Sequence, residues 1–187
     1  MVDPGVGLRA ELDNLIIAKR EFPIWTDWGV ADESQTVHSL GLSYLVRIGQ
    51  ELGYVCACDF PVAGYQVRAD AVWWDRSTHH PVAIFEFERL KGGPELIEKV
   101  RNLMLAWHAT QRHPVLLSLV FWQKNFYPGS ADRVAGLWKE MERGFRDEGG
   151  AEIGSVPTRL LNVHECLHSN ESNGKHTLKR FKEWKRP

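Results

Sequence analysis

Cysteine is scarce in this chain: three residues in 187, with no pairing pattern among them. Cys56 and Cys58 stand one residue apart and Cys166 lies far downstream. That spacing excludes a disulfide framework or a paired C-x-x-C zinc ribbon, and the thiols read as buried and free. No run approaches the roughly 20 consecutive apolar residues that span a bilayer. The opening Met1-Val2-Asp3-Pro4-Gly5 lacks the basic and apolar regions of a signal peptide, so a cytoplasmic protein without membrane association is expected. Internal repeats, low-complexity tracts and long linkers are missing. So are the G-x-x-x-x-G-K-[ST] and G-x-G-x-x-G patterns, which argues against a phosphate-loop nucleotide enzyme.

What remains is a globular composition, 43% hydrophobic and 25% charged, enough for one domain with a substantial core. The net charge of −1 is unevenly spread. From Lys175 onward, Lys175, Lys179, Arg180, Lys182, Lys185 and Arg186 face a single Glu183, a net +5 on a body of about −6. Such a basic end fits a polyanion, whose counterions are released on contact, as well as it fits a solvated helix face.

Hydrophobic spacing predicts a first helix over Gly7–Lys19 and an aromatic loop from Phe22 to Gly29. A second helix starts near Asp32, with Gln35 in capping-box position, and stops near Gly53. Three strands follow, at Tyr54–Phe60, Gln66–Trp74 and Val82–Glu88. Pro94 opens a helix striped by Leu96, Val100, Leu103 and Trp107, and Val115–Trp122 reads as a buried strand. A helix over Ala131–Arg146 and a short strand at Leu160–Val163 complete the order. The fold class expected is α/β, a central mixed sheet flanked by helices. Residues 1–31 form an N-terminal helix and aromatic loop, 32–165 the core, and 166–187 a basic tail on a single globular unit.

The segment Gln66 to Glu88 carries the chemistry. A hairpin centred on Thr78 pairs residues whose numbers sum to 156, so Asp70 falls opposite Glu86 and Arg68 opposite Glu88. Alternation puts Glu86 and Glu88 on one face, and Ala69, Ala71, Trp73, Ala83, Phe85 and Phe87 on the other. Opposed like charges destabilise a sheet, and a hard divalent cation explains them: Mg²⁺ prefers carboxylate oxygens and substrate phosphates. An ion-pair patch with Arg68 on Glu88 is the plain alternative.

On Val67-Arg68-Ala69-Asp70 and Ala83-Ile84-Phe85-Glu86-Phe87-Glu88, the stretch from Asp32 to Trp122 resembles the PD-(D/E)XK, or restriction-endonuclease-like, nucleases. The resemblance implies an α-β-β-β-α-β core with Asp70 and Glu86 binding Mg²⁺, Mn²⁺ as a substitute, and the backbone carbonyl of Phe87 as a further ligand. Glu33 on the preceding helix matches the acidic residue that often joins them. The family's usual lysine is replaced by Glu88, as in a minority ExE form. Either Glu88 then acts as general base or extra ligand, or Arg68, Lys91 or Lys99 supplies the missing positive charge. The implied activity is metal-dependent hydrolysis of phosphodiester bonds, in DNA by preference, with Lys179, Arg180, Lys182, Lys185 and Arg186 gripping the backbone. Cutting both strands of a duplex favours a homodimer. The alternative is a catalytically inactive nuclease-like domain that binds nucleic acid or protein.

His164-Glu165-Cys166-Leu167-His168 matches H-E-x-x-H, the zinc peptidase signature, which needs a helix to bring both histidines to one ion. Its flanks are strand-like before and loop-like after, so a chance match is expected. Trp25, Trp28 and Trp74 suggest base stacking, with Trp73 assigned to the core.

Overall fold

The structure, a computed structural model, describes residues 2–31, 33–91, 94–123, 131–169 and 174–187. Its elements are helices α1 (Pro4–Asn14), α2 (Ile16–Glu21), α3 (Pro23–Thr26), α4 (Ser34–Glu51), α5 (Glu95–Ala109) and α6 (Ala131–Arg143). The strands are β1 (Val55–Pro61), β2 (Arg68–Trp74), β3 (Pro81–Leu90), β4 (Leu116–Gln123), β5 (Phe145–Arg146), β6 (Glu152–Ile153), β7 (Leu161–His168) and β8 (Leu178–Trp184). Six strands form one mixed sheet in the order β1-β2-β3-β4-β7-β8, and β5 pairs with β6 apart from it. β3, β4 and β7 run parallel, while β1, β2 and β8 are antiparallel to their neighbours. The α/β class expected from the sequence is therefore present. No helix among the described residues is long and apolar enough to cross a membrane.

The predicted first helix is two helices. Leu15 adopts φ 56°, which ends α1, and the buried Glu11 carboxylate accepts the Ile17 N–H at 2.8 Å and the Tyr44 hydroxyl at 2.8 Å. Glu11 thus caps α2 from within the core, a bond that hydrophobic spacing does not reveal. The expected Asp32 cap lies outside the described residues; α4 starts at Ser34 behind Glu33. The basic tail is no appendage: residues 166–168 end β7, and residues 178–184 are the edge strand β8.

Both faces of the sheet are covered. Ala71, Trp73, Phe85, Phe87 and Trp122 pack under α1, α3 and α4 with Leu8, Trp25 and Tyr44. Val72, Ile84, Leu119 and Phe121 pack under α5 and α6 with Val100, Leu103, Leu137 and Trp138. Burying each large side chain contributes roughly 1.5–3 kcal/mol, so this double cover is the main source of stability. Two expectations are corrected here. The carboxylate face is no open polar surface but one end of the apolar layer beneath α5. Ala69 joins that layer, whereas Ala71 and Trp73 lie in the other; between the pairs Cys58–Ala71 and Phe60–Ala69 the β1–β2 ladder lacks its rung at Asp59, which has φ 52°.

Candidate metal centre at the ends of β2 and β3

The hairpin has the predicted register. Ala71 pairs with Phe85, Val72 with Ile84 and Trp73 with Ala83, and only at Trp74–Pro81 does the ladder slip by one. The turn is closed by Asp75, whose carboxylate accepts the N–H groups of Ser77 and Thr78 at 2.8 Å each. Bonds from the Ser77 hydroxyl and these amides hold the Asp75 carboxyl down at about 2. His79 sits in the left-handed region at φ 61°, which a tight reversal demands.

Beyond Ala71 the pairing changes character. The Asp70 side chain turns across and its Oδ2 accepts the Phe87 N–H at 2.8 Å. Because a strand presents a residue's N–H and C=O on the same side, the Phe87 carbonyl faces the Asp70 side too. Glu86 is fully buried. Lys99, projecting from the first turns of α5, places its Nζ 2.6 Å from Glu86 Oε2, 3.6 Å from Asp70 Oδ2 and 3.8 Å from Glu88 Oε2. Glu88 also accepts its neighbour's Arg89 N–H at 2.8 Å. No hydrogen-bond donor meets Glu86 Oε1 among the described residues.

On the other side of Asp70 stands His38 of α4, Nε2 3.5 Å from Oδ1, its ring edge-on to Phe87 with centroids 6.0 Å apart. Close helix–sheet contact makes this reach possible. A Cβ at Gly41 would lie 2.3 Å from the Phe87 ring, so only glycine lets α4 descend there. His38 is one turn before Gly41 and shares its face.

The charges of the cluster are set by this crowding. Burial, reinforced by the charge of Asp70, pushes the Glu86 carboxyl well above its usual range. Burial also opposes ionisation of Asp70, but the His38 contact, the Lys99 ammonium and the Phe87 N–H outweigh it and hold Asp70 below its usual value. Burial pulls against the charge on Lys99, yet Glu86 and Asp70 keep its ammonium more basic than usual. Asp70 is the anion of the resting cluster, Lys99 its cation, and Glu86 the carboxyl that holds a proton most readily.

The structure brings Asp70, Glu86, Glu88, the Phe87 backbone and Lys99 together, and adds His38. It does not bring the others. Glu33 is exposed, accepts the Thr36 hydroxyl, and lies five residues before His38, about 7.5 Å back along the helix axis. Arg68 does not pair with Glu88: it binds the Asp59 side chain and carbonyl on β1, opposite Pro61, where the turn at Asp59 presents both oxygens. Lys91 is exposed past the end of β3. Trp25 is buried rather than available for stacking, donating its indole N–H to His168 Nε2 at 2.9 Å, while Trp28 is 67% exposed. Trp74 packs edge-on to Phe60.

The H-E-x-x-H residues lie on strand β7, which spaces His164 and His168 about 13 Å apart, against about 6 Å of rise on a helix. The helical zinc geometry is therefore not formed. His164 is buried opposite Glu183, and Glu165 is buried on the other face, accepting the Trp184 indole N–H at 3.1 Å. Among the described residues no three His, Cys, Asp or Glu side chains converge as a ready metal cluster; here two carboxylates converge with a lysine between them. A cavity of about 670 Å³ lies elsewhere, lined by Tyr65, Gln66, Arg101, Asn102, Phe145 and Arg146. Asp70, Glu86, Glu88 and Lys99 take no part in its wall. No protein-family model and no curated protein sequence matches the chain.

Proposed function

We propose that the protein is a Mg²⁺- or Mn²⁺-dependent nuclease of restriction-endonuclease-like architecture, with Asp70, Glu86 and the Phe87 carbonyl as the cation's ligands. The observation that carries this reading is Glu86: a fully buried carboxyl group, with one oxygen that meets no donor among the described residues, placed beside a second carboxylate. Like-charged buried carboxylates cost stability unless something positive belongs between them. The donor set is all oxygen, which suits a hard cation. Bound there, a divalent cation supplies charge that neutralises the reacting phosphate and acidifies water.

The remaining chemistry falls to the chain's own groups. Glu88, a quarter exposed and 3.8 Å from the Lys99 ammonium, is the carboxylate with room to take the proton that an attacking water loses. Lys99 occupies the place in the cluster that the resemblance leaves vacant on β3, and orients that water by donating to it. His38 fixes Asp70 from the helix side.

A second reading, a non-catalytic domain that binds nucleic acid or protein, draws on the same lysine: at 2.6 Å from Glu86, Lys99 already provides a counter-ion. One experiment separates them. With Mg²⁺ or Mn²⁺, the wild type cleaves plasmid or oligonucleotide DNA, and Asp70→Asn and Glu86→Gln each lose about 100-fold or more while keeping their melting temperatures within a few degrees; Lys99→Met loses as much activity but is also less stable. Absence of metal-dependent cleavage of DNA and RNA in the wild type, or full activity in Asp70→Asn, overturns the nuclease reading.

A further inference from the structure

We propose that the edge of β8 nearest the carboxylate end of the sheet is a phosphate-backbone contact, made by Lys179, Arg180 and Lys182. This rests on the reading of Asp70 and Glu86 as a phosphodiester site, because that reading makes the anion a polynucleotide.

The decisive feature is a β-bulge. Arg180 pairs with Leu167, but Leu178 pairs with His168, leaving Lys179 as the extra residue. Regular alternation from the buried Phe181 would turn Lys179 inward and Leu178 outward. The bulge instead buries both Leu178 and Phe181 in the layer under α1 and α3, and presents Lys179 and Arg180 side by side in solvent. Bulges re-aim side chains in this way near functional sites.

The neighbouring carboxylates do not neutralise these cations. Glu183 faces the opposite side and is bound to Arg9 at 2.8 Å. Glu165, opposite Lys182, is buried and held by Trp184. Lys182 lies 3.4 Å over the Trp184 ring, a cation on a flat platform. No ion pair ties Lys179 or Arg180 among the described residues. The other two members of the basic end differ. Lys185 and Arg186 follow Trp184 at the far end of β8, and Arg186 is bound to Glu142 at 2.5 Å and Thr158 at 3.1 Å, tying the terminus to α6.

The register runs Glu88–Phe121–Glu165–Lys182 across four strands, on the face that carries the carboxylates. Three strand spacings make about 14 Å, the rise of about four nucleotides along one strand of a duplex. A polynucleotide with one phosphate at Asp70 and Glu86 reaches β8 within its next few phosphates.

The test is fluorescence anisotropy with labelled 20-nucleotide single-stranded and duplex DNA, in EDTA, using full-length Asp70→Asn protein so that chemistry is off and the site carries one charge fewer. Adding K179A, R180A and K182A lowers affinity at least tenfold at low salt. It also reduces the slope of log affinity against log salt by about 2 to 3, roughly 0.7–0.9 for each phosphate that is no longer neutralised. The charge-conserving K179R and K182R pair retains affinity. Unchanged affinity and slope in the alanine variant, equal loss in the arginine variant, or binding of anionic vesicles in preference to DNA each overturn the proposal. Since no metal is present, this outcome is independent of cleavage: DNA binding that depends on these residues in a protein that cuts nothing upholds the surface and removes the nuclease reading.

Discussion

Lys99 Nζ lies 2.6 Å from Oε2 of Glu86, a carboxylate with no exposed surface. The pair offsets one charge in a cluster of three carboxyl groups at the ends of β2 and β3, and it makes Lys99 a stability element as well as a candidate catalytic group. Lys99→Met removes the compensating charge. Breaking a buried pair costs about 3–5 kcal/mol, and the low end applies because Glu86 relieves part of the loss by taking a proton. Urea denaturation in EDTA is expected to show about 3 kcal/mol less stability, and Mn²⁺ to restore more stability to the variant than it adds to the wild type. Equal stabilisation of both proteins by Mn²⁺ contradicts this.

Glu86 sets a pH dependence whose sign is fixed. Its folded-state carboxyl is pushed up by burial first and Asp70 second, so the proton it holds favours the folded state. That contribution is complete below the ordinary carboxylate value of 4.5 and is lost as pH rises through the elevated one. Cation binding needs the ionised form. Affinity for Mn²⁺ is therefore expected to increase with pH over the same window and to release a proton, visible as a heat that varies with the buffer's ionisation enthalpy. Glu86→Gln removes both effects.

His164 works in the opposite sense. Burial, with the Arg9 charge adding to it, depresses its imidazole from 6.5 to about 4. The neutral ring in the core contributes stability that is full above about 6.5 and lost as pH falls through 4, up to about 3 kcal/mol. Chemical denaturation between about pH 7.5 and 4.5 is expected to show this loss in the wild type and a much shallower one in His164→Gln.

Gly41 is a packing prediction with a consequence for the site. A methyl group there meets the Phe87 ring at 2.3 Å, and overpacking of this kind costs about 1–3 kcal/mol. Gly41→Ala is expected to be destabilised by that amount and to lose activity beyond what its melting temperature explains, because α4 carries His38 away from Asp70. Full activity at reduced stability would show that the His38 contact is dispensable.

The path from sequence to site is legible where the physics is local. Alternation along two strands and a turn at Thr78 place Asp70 beside Glu86, and Ala71, Val72 and Trp73 keep the predicted register. It is not legible where one side chain replaces a regular interaction. Asp70 takes the Phe87 N–H in place of another backbone rung, Glu11 caps a helix from the core, and Asp59 diverts Arg68. In the sequence Lys99 stands among three cations with equal claims, since only the docking of α5 decides which one reaches the carboxylates. His38 has a signal in Gly41 and Gly49, small residues on one face of an apolar helix that mark its closest approach to the sheet. The β8 strand is hidden by its charge, because its flanking and internal cations obscure the Leu178–Phe181 pattern that the bulge creates.

The measurement that bears most directly on the site is calorimetric titration of Mn²⁺ into the wild type, Asp70→Asn and Glu86→Gln at neutral pH. A binding isotherm is expected in the wild type, and it disappears in both variants while their folds persist. A wild type that takes up no Mn²⁺, or variants that bind it as the wild type does, would contradict it.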